Sequence, residues 1–181
     1  MTPASVANAE LFRWGSISRR SRSVSTWLFY ADDYKFSALW SDPSKIMTTQ
    51  CKACGELNWS LNDDSPPALA IWETYRKRWV SAYWQRKGIR IFVDMNVPEI
   101  FDDINMLGVP CGWQAYCTRA SDYEIYSLER QYEIACAKAG SRDLTMIVYA
   151  GGGKVREFCM DNGLIYIPNS GSKGCRNGTG Q

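Results

Sequence analysis

The residues best suited to chemistry in this chain are carboxylates and arginines placed beside strand-like runs, in a sequence with no histidine. Asp63 and Asp64 follow the segment Glu56–Leu61. Asp94 ends the apolar run Ile91-Phe92-Val93 and is followed by Asn96. Carboxylates gathered at one rim, with Asp122 as a further member, can hold a magnesium ion for phosphodiester chemistry. Asp63, Asp64 and Asp94 are therefore candidate catalytic residues of a metal-dependent phosphodiester or nucleotide hydrolase. Asp63 and Asp64 equally suit the cap of a following helix. The missing histidine excludes a Ser-His-Asp triad, a Cys-His pair and any His-ligated metal. A general acid or base must come from Asp, Glu, Lys, Tyr or Cys.

A second set of residues suits phosphate. Arg76, Arg78 and Trp79 lie in a run of mixed arginines and aromatics, which can present guanidinium planes and indoles to a phosphate or a base. The competing reading, which the frequency of stacked arginines favours, has the Arg76 stem on the rings and its head on a carboxylate or carbonyl. Gly151-Gly152-Gly153-Lys154 opens a helix directly after a strand, where free N–H groups and the helix dipole attract anions. It lacks the spacing of a Walker loop or a dinucleotide fingerprint, and a plain tight turn is the favoured reading. Arg119 follows a strand and joins this group. Cys51-Lys-Ala-Cys54 has zinc-knuckle spacing, but no second pair accompanies it. Zinc at Cys51 and Cys54 is disfavoured against small buried hydrophobes.

The elements that must position these residues alternate. The best-marked is a helix from Pro66-Pro67 to about Gln85, capped by Ser65 and stopped at Gly88. At helical spacing Trp72, Tyr75, Arg76, Trp79, Ala82, Tyr83 and Arg86 share a stripe, with Arg78 and Trp84 pointing elsewhere. This stripe predicts a buried face with Trp72, Trp79 and Tyr83 as core and leaves open whether Arg76 braces the fold or reaches a ligand. Strands are expected at 56–61, 89–97, 112–118, 144–150 and 164–167, with helices opening at Pro98 and spanning 127–138 and 154–162. About five strands alternating with helices predict an α/β domain with a single parallel sheet, either an open three-layer sheet or a partial barrel. In both, functional groups collect at the strand C-termini. Residues 1–26, basic around Arg19, Arg20 and Arg22, read as a flexible arm, 27–168 as the domain with residues 27–40 as its lead-in, and 169–181 as a flexible tail.

The sequence has 181 residues, enough for one domain with a core, and a formal net charge of +2 that selects no partner. Seven unevenly spread cysteines fit reduced thiols rather than a secreted disulfide framework. No run reaches transmembrane length and the N-terminus lacks an apolar signal core, so a cytoplasmic protein with no membrane partner is expected.

Tyr34-Lys35-Phe36, Leu57-Asn58-Trp59-Ser60, Tyr75-Arg76-Lys-Arg78-Trp79, Ala82-Tyr83-Trp84-Gln85, Gly88-Ile89 and Ile147-Val148-Tyr149 resemble a domain-of-unknown-function family of bacteriophages, plasmids and conjugative elements. The resemblance covers about residues 30–168, and its most specific part is the central arginine, tryptophan and tyrosine block. It implies a phage or mobile-element protein in a bacterial host cell and supplies no chemistry. The leading expectation is binding of nucleic acid or a nucleotide through the Arg/Trp helix and the strand-end rim. The alternatives are the hydrolase above and a module that modifies a host protein.

Overall fold

The computed structural model of the chain describes residues 11–15, 25–49 and 51–169. Its elements in chain order are β1 (Leu11–Arg13), β2 (Thr26–Leu28), α1 (Ala38–Ser41), β3 (Ala53–Gly55), α2 (Pro67–Arg86), β4 (Arg90–Asp94), α3 (Asp102–Asn105), β5 (Ala115–Arg119), α4 (Ile125–Ala139), β6 (Thr145–Tyr149), α5 (Gly153–Asp161) and β7 (Ile165–Ile167). All seven strands are parallel and their spatial order is the chain order. With no reversal of order, right-handed crossovers place every connecting segment on the same side of the sheet. The sheet therefore curls into a half-barrel, as the partial-barrel expectation allows.

The curl creates two environments. Leu28, Tyr30, Phe92, Cys117, Ile147 and Tyr149 pack together in one cluster, with the Tyr30 and Tyr149 rings stacked at 5.8 Å. Elsewhere the helices and the segment before β3 close over two further clusters. One is built from Trp14, Trp27, Phe29, Phe36, Trp59 and Trp84; the other joins Tyr116, Met146 and Val148 to α4 and α5. Buried indole N–H groups find acceptors: Trp27 donates to Thr49 Oγ1 at 3.0 Å and Trp84 to the Pro43 carbonyl at 2.9 Å.

Several expectations need correction. The first predicted strand, 56–61, is the exit from β3, which ends three residues earlier at Gly55. Glu56 and Asn58 thus lie beyond the strand end. The run read as a lead-in contributes β2, and Leu11–Arg13 inside the expected arm form β1. The arginines at 19, 20 and 22, Cys175 and all but the first residue of the expected tail lie outside the described residues. Pro67 opens α2 and Pro66 occupies the cap position, so Ser65 does not cap the helix. Its hydroxyl instead accepts the Asn62 N–H and donates to Asn62 Oδ1, closing the preceding turn. Gly88 does stop the helix with a left-handed φ of 85°.

The face of α2 is the largest correction. Its buried residues are Ala70, Glu73, Thr74, Lys77, Val80, Ser81 and Trp84. Trp72, Tyr75 and Trp79 are about half exposed, at 46%, 53% and 45%. The physical reason lies in the strands beneath. Glu56 and Asp94 are both buried, and an unpaired buried carboxylate costs several kcal/mol. That exceeds the roughly 1.5–3 kcal/mol gained by burying one more apolar side chain. The helix accordingly turns Lys77 and Arg78 inward to meet them and leaves its aromatics outside.

Candidate functional site

Two polar constellations gather at the C-terminal ends of the strands, one closed and one open. The closed one centres on Asp94, the last residue of β4. Its Oδ1 accepts the Tyr30 hydroxyl at 3.1 Å and the Asn96 N–H at 3.3 Å. Its Oδ2 accepts the Asn58 amide at 3.1 Å and lies 3.4 Å from the Lys77 ammonium. Burial pulls the Lys77 pKa down and pushes that of Asp94 up, against their mutual attraction. The Tyr30 phenol is also driven well upward by burial, so it donates to Asp94 as a neutral group. Next to this, Glu56 Oε2 pairs with Arg78 and accepts the Asp94 N–H at 3.2 Å. Arg78 also donates to the carbonyls of Asn105 and Leu107. Every oxygen of Asp94 is thereby engaged by the protein itself.

The open constellation is a cleft of about 740 Å³ at the mouth of the half-barrel. One wall comes from the β3–α2 loop and the segment after β4, with Asp63, Asn96 and Glu99; the other from the end of β5 and from α4, with Arg119, Arg130 and Gln131. Arg119 is exposed and has no side-chain hydrogen bond or ion pair among the described residues. Gln131 is buried; its Oε1 accepts the Thr118 hydroxyl at 2.5 Å, leaving the other end of the amide toward the cleft it lines. Arg130 is held by Asp102 and donates to the Val97 carbonyl at 3.3 Å, which fixes α4 against the segment after β4. Burial raises the Asp102 pKa against the pull of Arg130.

The remaining expected site residues fall in different places. Asp63 lines the cleft, whereas Asp64 is exposed on the same loop with its backbone N–H bound to Asn62 Oδ1. Among the described residues no three Asp, Glu or Cys side chains are grouped to hold a metal ion. Cys51 and Cys54 are buried free thiols, and burial pushes their pKa values up. Arg76 donates to Glu73 and its guanidinium carbon lies 3.7 Å from the centre of the Trp59 ring, so it braces the fold. At the glycine loop, Asp122 Oδ1 accepts the N–H groups of Gly152 at 2.8 Å and Val155 at 3.1 Å. A carboxylate of the chain already occupies the position where an external anion would meet this helix start, and these bonds lower the Asp122 pKa. Lys154 is exposed beside it. Glu56, Lys77 and Gln131 were missed by sequence reasoning. Lys77 and Glu56 carry a signal only once β3 is ended at Gly55; Gln131 carries none.

A parallel half-barrel with a polar cleft at its mouth is the class that fold and site define. The chain belongs to the family described as "Domain of unknown function (DUF4417)", whose model matches residues 2–115. It is 32% identical over 110 residues to the Gene 1 protein of Mycobacterium phage D29, an alignment covering 56% of this chain and 40% of that protein. It is 35% identical over 88 residues to the Gene 1 protein of Mycobacterium phage L5, covering 46% of this chain and 38% of that protein. The matched region thus spans about two fifths of these curated relatives. No solved structure matches the chain. Among the described residues no helix is long and apolar enough to cross a membrane.

Proposed function

We propose that this protein of a phage-associated family binds a nucleotide in the cleft at the mouth of its half-barrel. The observation that carries the reading is Arg119: an exposed, unpaired guanidinium at a strand C-terminus, beside the half-used amide of buried Gln131. Arg119 suits a phosphate, which it can meet with two parallel N–H groups. The volume, about 740 Å³, falls in the range of small-molecule sites and far exceeds what a bare phosphate needs. Asn96 and Gln131 offer amides to a base edge, and Asp63 and Glu99 offer acceptors to sugar hydroxyls. The same carboxylates disfavour a long polyanion lying across the cleft, so one nucleotide unit fits better than a duplex. Lys154, three residues on from the cleft-lining Gly151, is a further cation for a terminal phosphate.

Titration of the protein with nucleoside mono-, di- and triphosphates in low salt, followed by intrinsic tryptophan fluorescence and calorimetry, tests the reading. Saturable binding is expected, weakened at least about tenfold in Arg119→Gln by loss of a charge-assisted contact. Because Arg119 has no partner to lose, the variant should unfold like the parent. Absence of nucleotide binding, or unchanged affinity in Arg119→Gln, refutes it.

A further inference from the structure

The outer face of α2 carries large aromatics that the core does not use. Trp72 and Tyr75 stack at 5.7 Å, Trp79 and Tyr83 stack at 6.4 Å, and Trp40 from α1 sits edge-on against Trp72, Tyr75 and Trp79. Rings of this size usually lie in cores or at interfaces. Here they form one continuous row on the surface, beyond anything a single exposed aromatic would need explaining.

The charge along the row has one sign. Glu73 is the only carboxylate on α2, and it is buried against Arg76. Arg86 falls seven residues after Trp79 and fourteen after Trp72, on the same stripe, and is exposed with no ion pair among the described residues. Lys87 follows it, its ammonium 5.8 Å from the centre of the Tyr83 ring. An aromatic row ending in unneutralised cations complements a ligand with flat faces and negative charge. From Trp72 to Arg86 the row runs about 21 Å, room for roughly six nucleotides at a stacked spacing of about 3.4 Å.

We propose that this face binds single-stranded nucleic acid, with bases stacked on Trp72, Tyr75 and Trp79 and phosphates at Arg86 and Lys87. A duplex keeps its bases stacked on each other and cannot use the rings, so the strand must be single. This surface is distinct from the cleft: α2 begins at Pro67, after the loop that lends Asp63 to the cleft wall, and runs away from it.

The test is titration of the whole protein with fluorescein-labelled (dT)12 and with the same strand in a duplex, at about 50 and 200 mM salt. Single strands are expected to bind with quenching of tryptophan fluorescence, more tightly than the duplex and more weakly at higher salt. Trp79→Ala should weaken (dT)12 binding about tenfold, as loss of one stacking ring does. The double variant Arg86→Glu/Lys87→Glu, which touches no core residue, should weaken it and flatten its salt dependence. Near-UV circular dichroism verifies the fold of each. Arg119→Gln should leave (dT)12 binding unchanged, which separates this site from the cleft. No binding at 50 mM salt, equal binding of duplex and single strand, or parental affinity in both variants overturns the proposal. So does concentration-dependent dimerisation that Trp79→Ala abolishes, which would assign the face to a second copy of the chain.

Discussion

Replacing Lys77 by Met removes the ammonium while keeping most of the side-chain volume, and it tests whether the closed constellation holds the fold. Lys77 is 5% exposed and Asp94 fully buried, with their charged atoms 3.4 Å apart. At an effective dielectric of about 20 the attraction at that distance is about 5 kcal/mol. Desolvation of both groups offsets most of it in the parent. In the variant only the Asp94 penalty survives, met by Tyr30, Asn58 and the Asn96 N–H. Breaking one side of a buried pair typically costs about 3–5 kcal/mol, and that loss is expected at pH 7. The loss should depend on pH. Burial already raises the Asp94 pKa above its unfolded value, and without Lys77 the rise is larger. A carboxyl that holds its proton more tightly when folded favours the fold fully below the unfolded pKa, about 3.9, and loses that contribution as pH rises through the folded value. The deficit of Lys77→Met should therefore shrink as pH falls, by up to about 1.4 kcal/mol per pH unit inside that window. Denaturant melts followed by tryptophan fluorescence between pH 5 and 8 measure it. Adding Asp94→Asn to the variant should cost less than the two single changes summed, by roughly 1–3 kcal/mol. A deficit under about 1 kcal/mol at pH 7, or one identical at every pH, would refute this account of α2.

Asp122→Asn should lower the melting temperature at neutral pH by loosening the start of α5. Because the Gly152 and Val155 N–H groups hold the Asp122 pKa down, its contribution is present above the ordinary aspartate range and is lost as pH falls through the lowered value. The gap between variant and parent in thermal melts should close below about pH 4, and a gap constant with pH would count against the capping role. A Cβ at Gly55 would stand 2.9 Å from Cys117 Sγ inside the half-barrel. Gly55→Ala should thus destabilise by about 1–3 kcal/mol in denaturant melts, and Cys117→Ala on top of it should recover part of the loss rather than add to it.

The alternation of apolar runs with helical stretches made the parallel sheet legible from sequence, because strand-helix spacing and the Gly88, Gly140 and Gly163 stops are local signals. What was not legible followed from one slip of three residues at β3. Ala53-Cys54-Gly55 is too short and too small to stand out, whereas Leu57 and Trp59 mimic a strand. With the strand end misplaced, Glu56 seemed to lie inside a strand and its demand for a cation was invisible. The aromatic stripe of α2 then appeared to be the buried one, since periodicity reports that a helix has two faces but not which face meets an element whose polarity is unknown. Arg76 was resolved by tertiary structure alone: Glu73 lies one turn away in sequence, but Trp59 and Trp40 come from other segments.

The family match ends at Ala115, the first residue of β5, and this divides the candidate site. Both buried ion pairs and one wall of the cleft, with Asp63, Asn96 and Glu99, fall inside the matched stretch; Arg119, Arg130 and Gln131 fall beyond it. A half-barrel mouth necessarily draws its walls from separate strand ends, so neither half of the chain closes the cleft alone. The two halves carry different duties there. The first fixes the geometry, because Asp94 and Glu56 are saturated by groups of their own half and have no valence left for a ligand. The second presents the unspent donors, the Arg119 guanidinium and the free end of the Gln131 amide. Ligand choice in this chain therefore rests with β5 and α4, and the matched stretch acts on it by holding those residues across from Asn96 and Asp63.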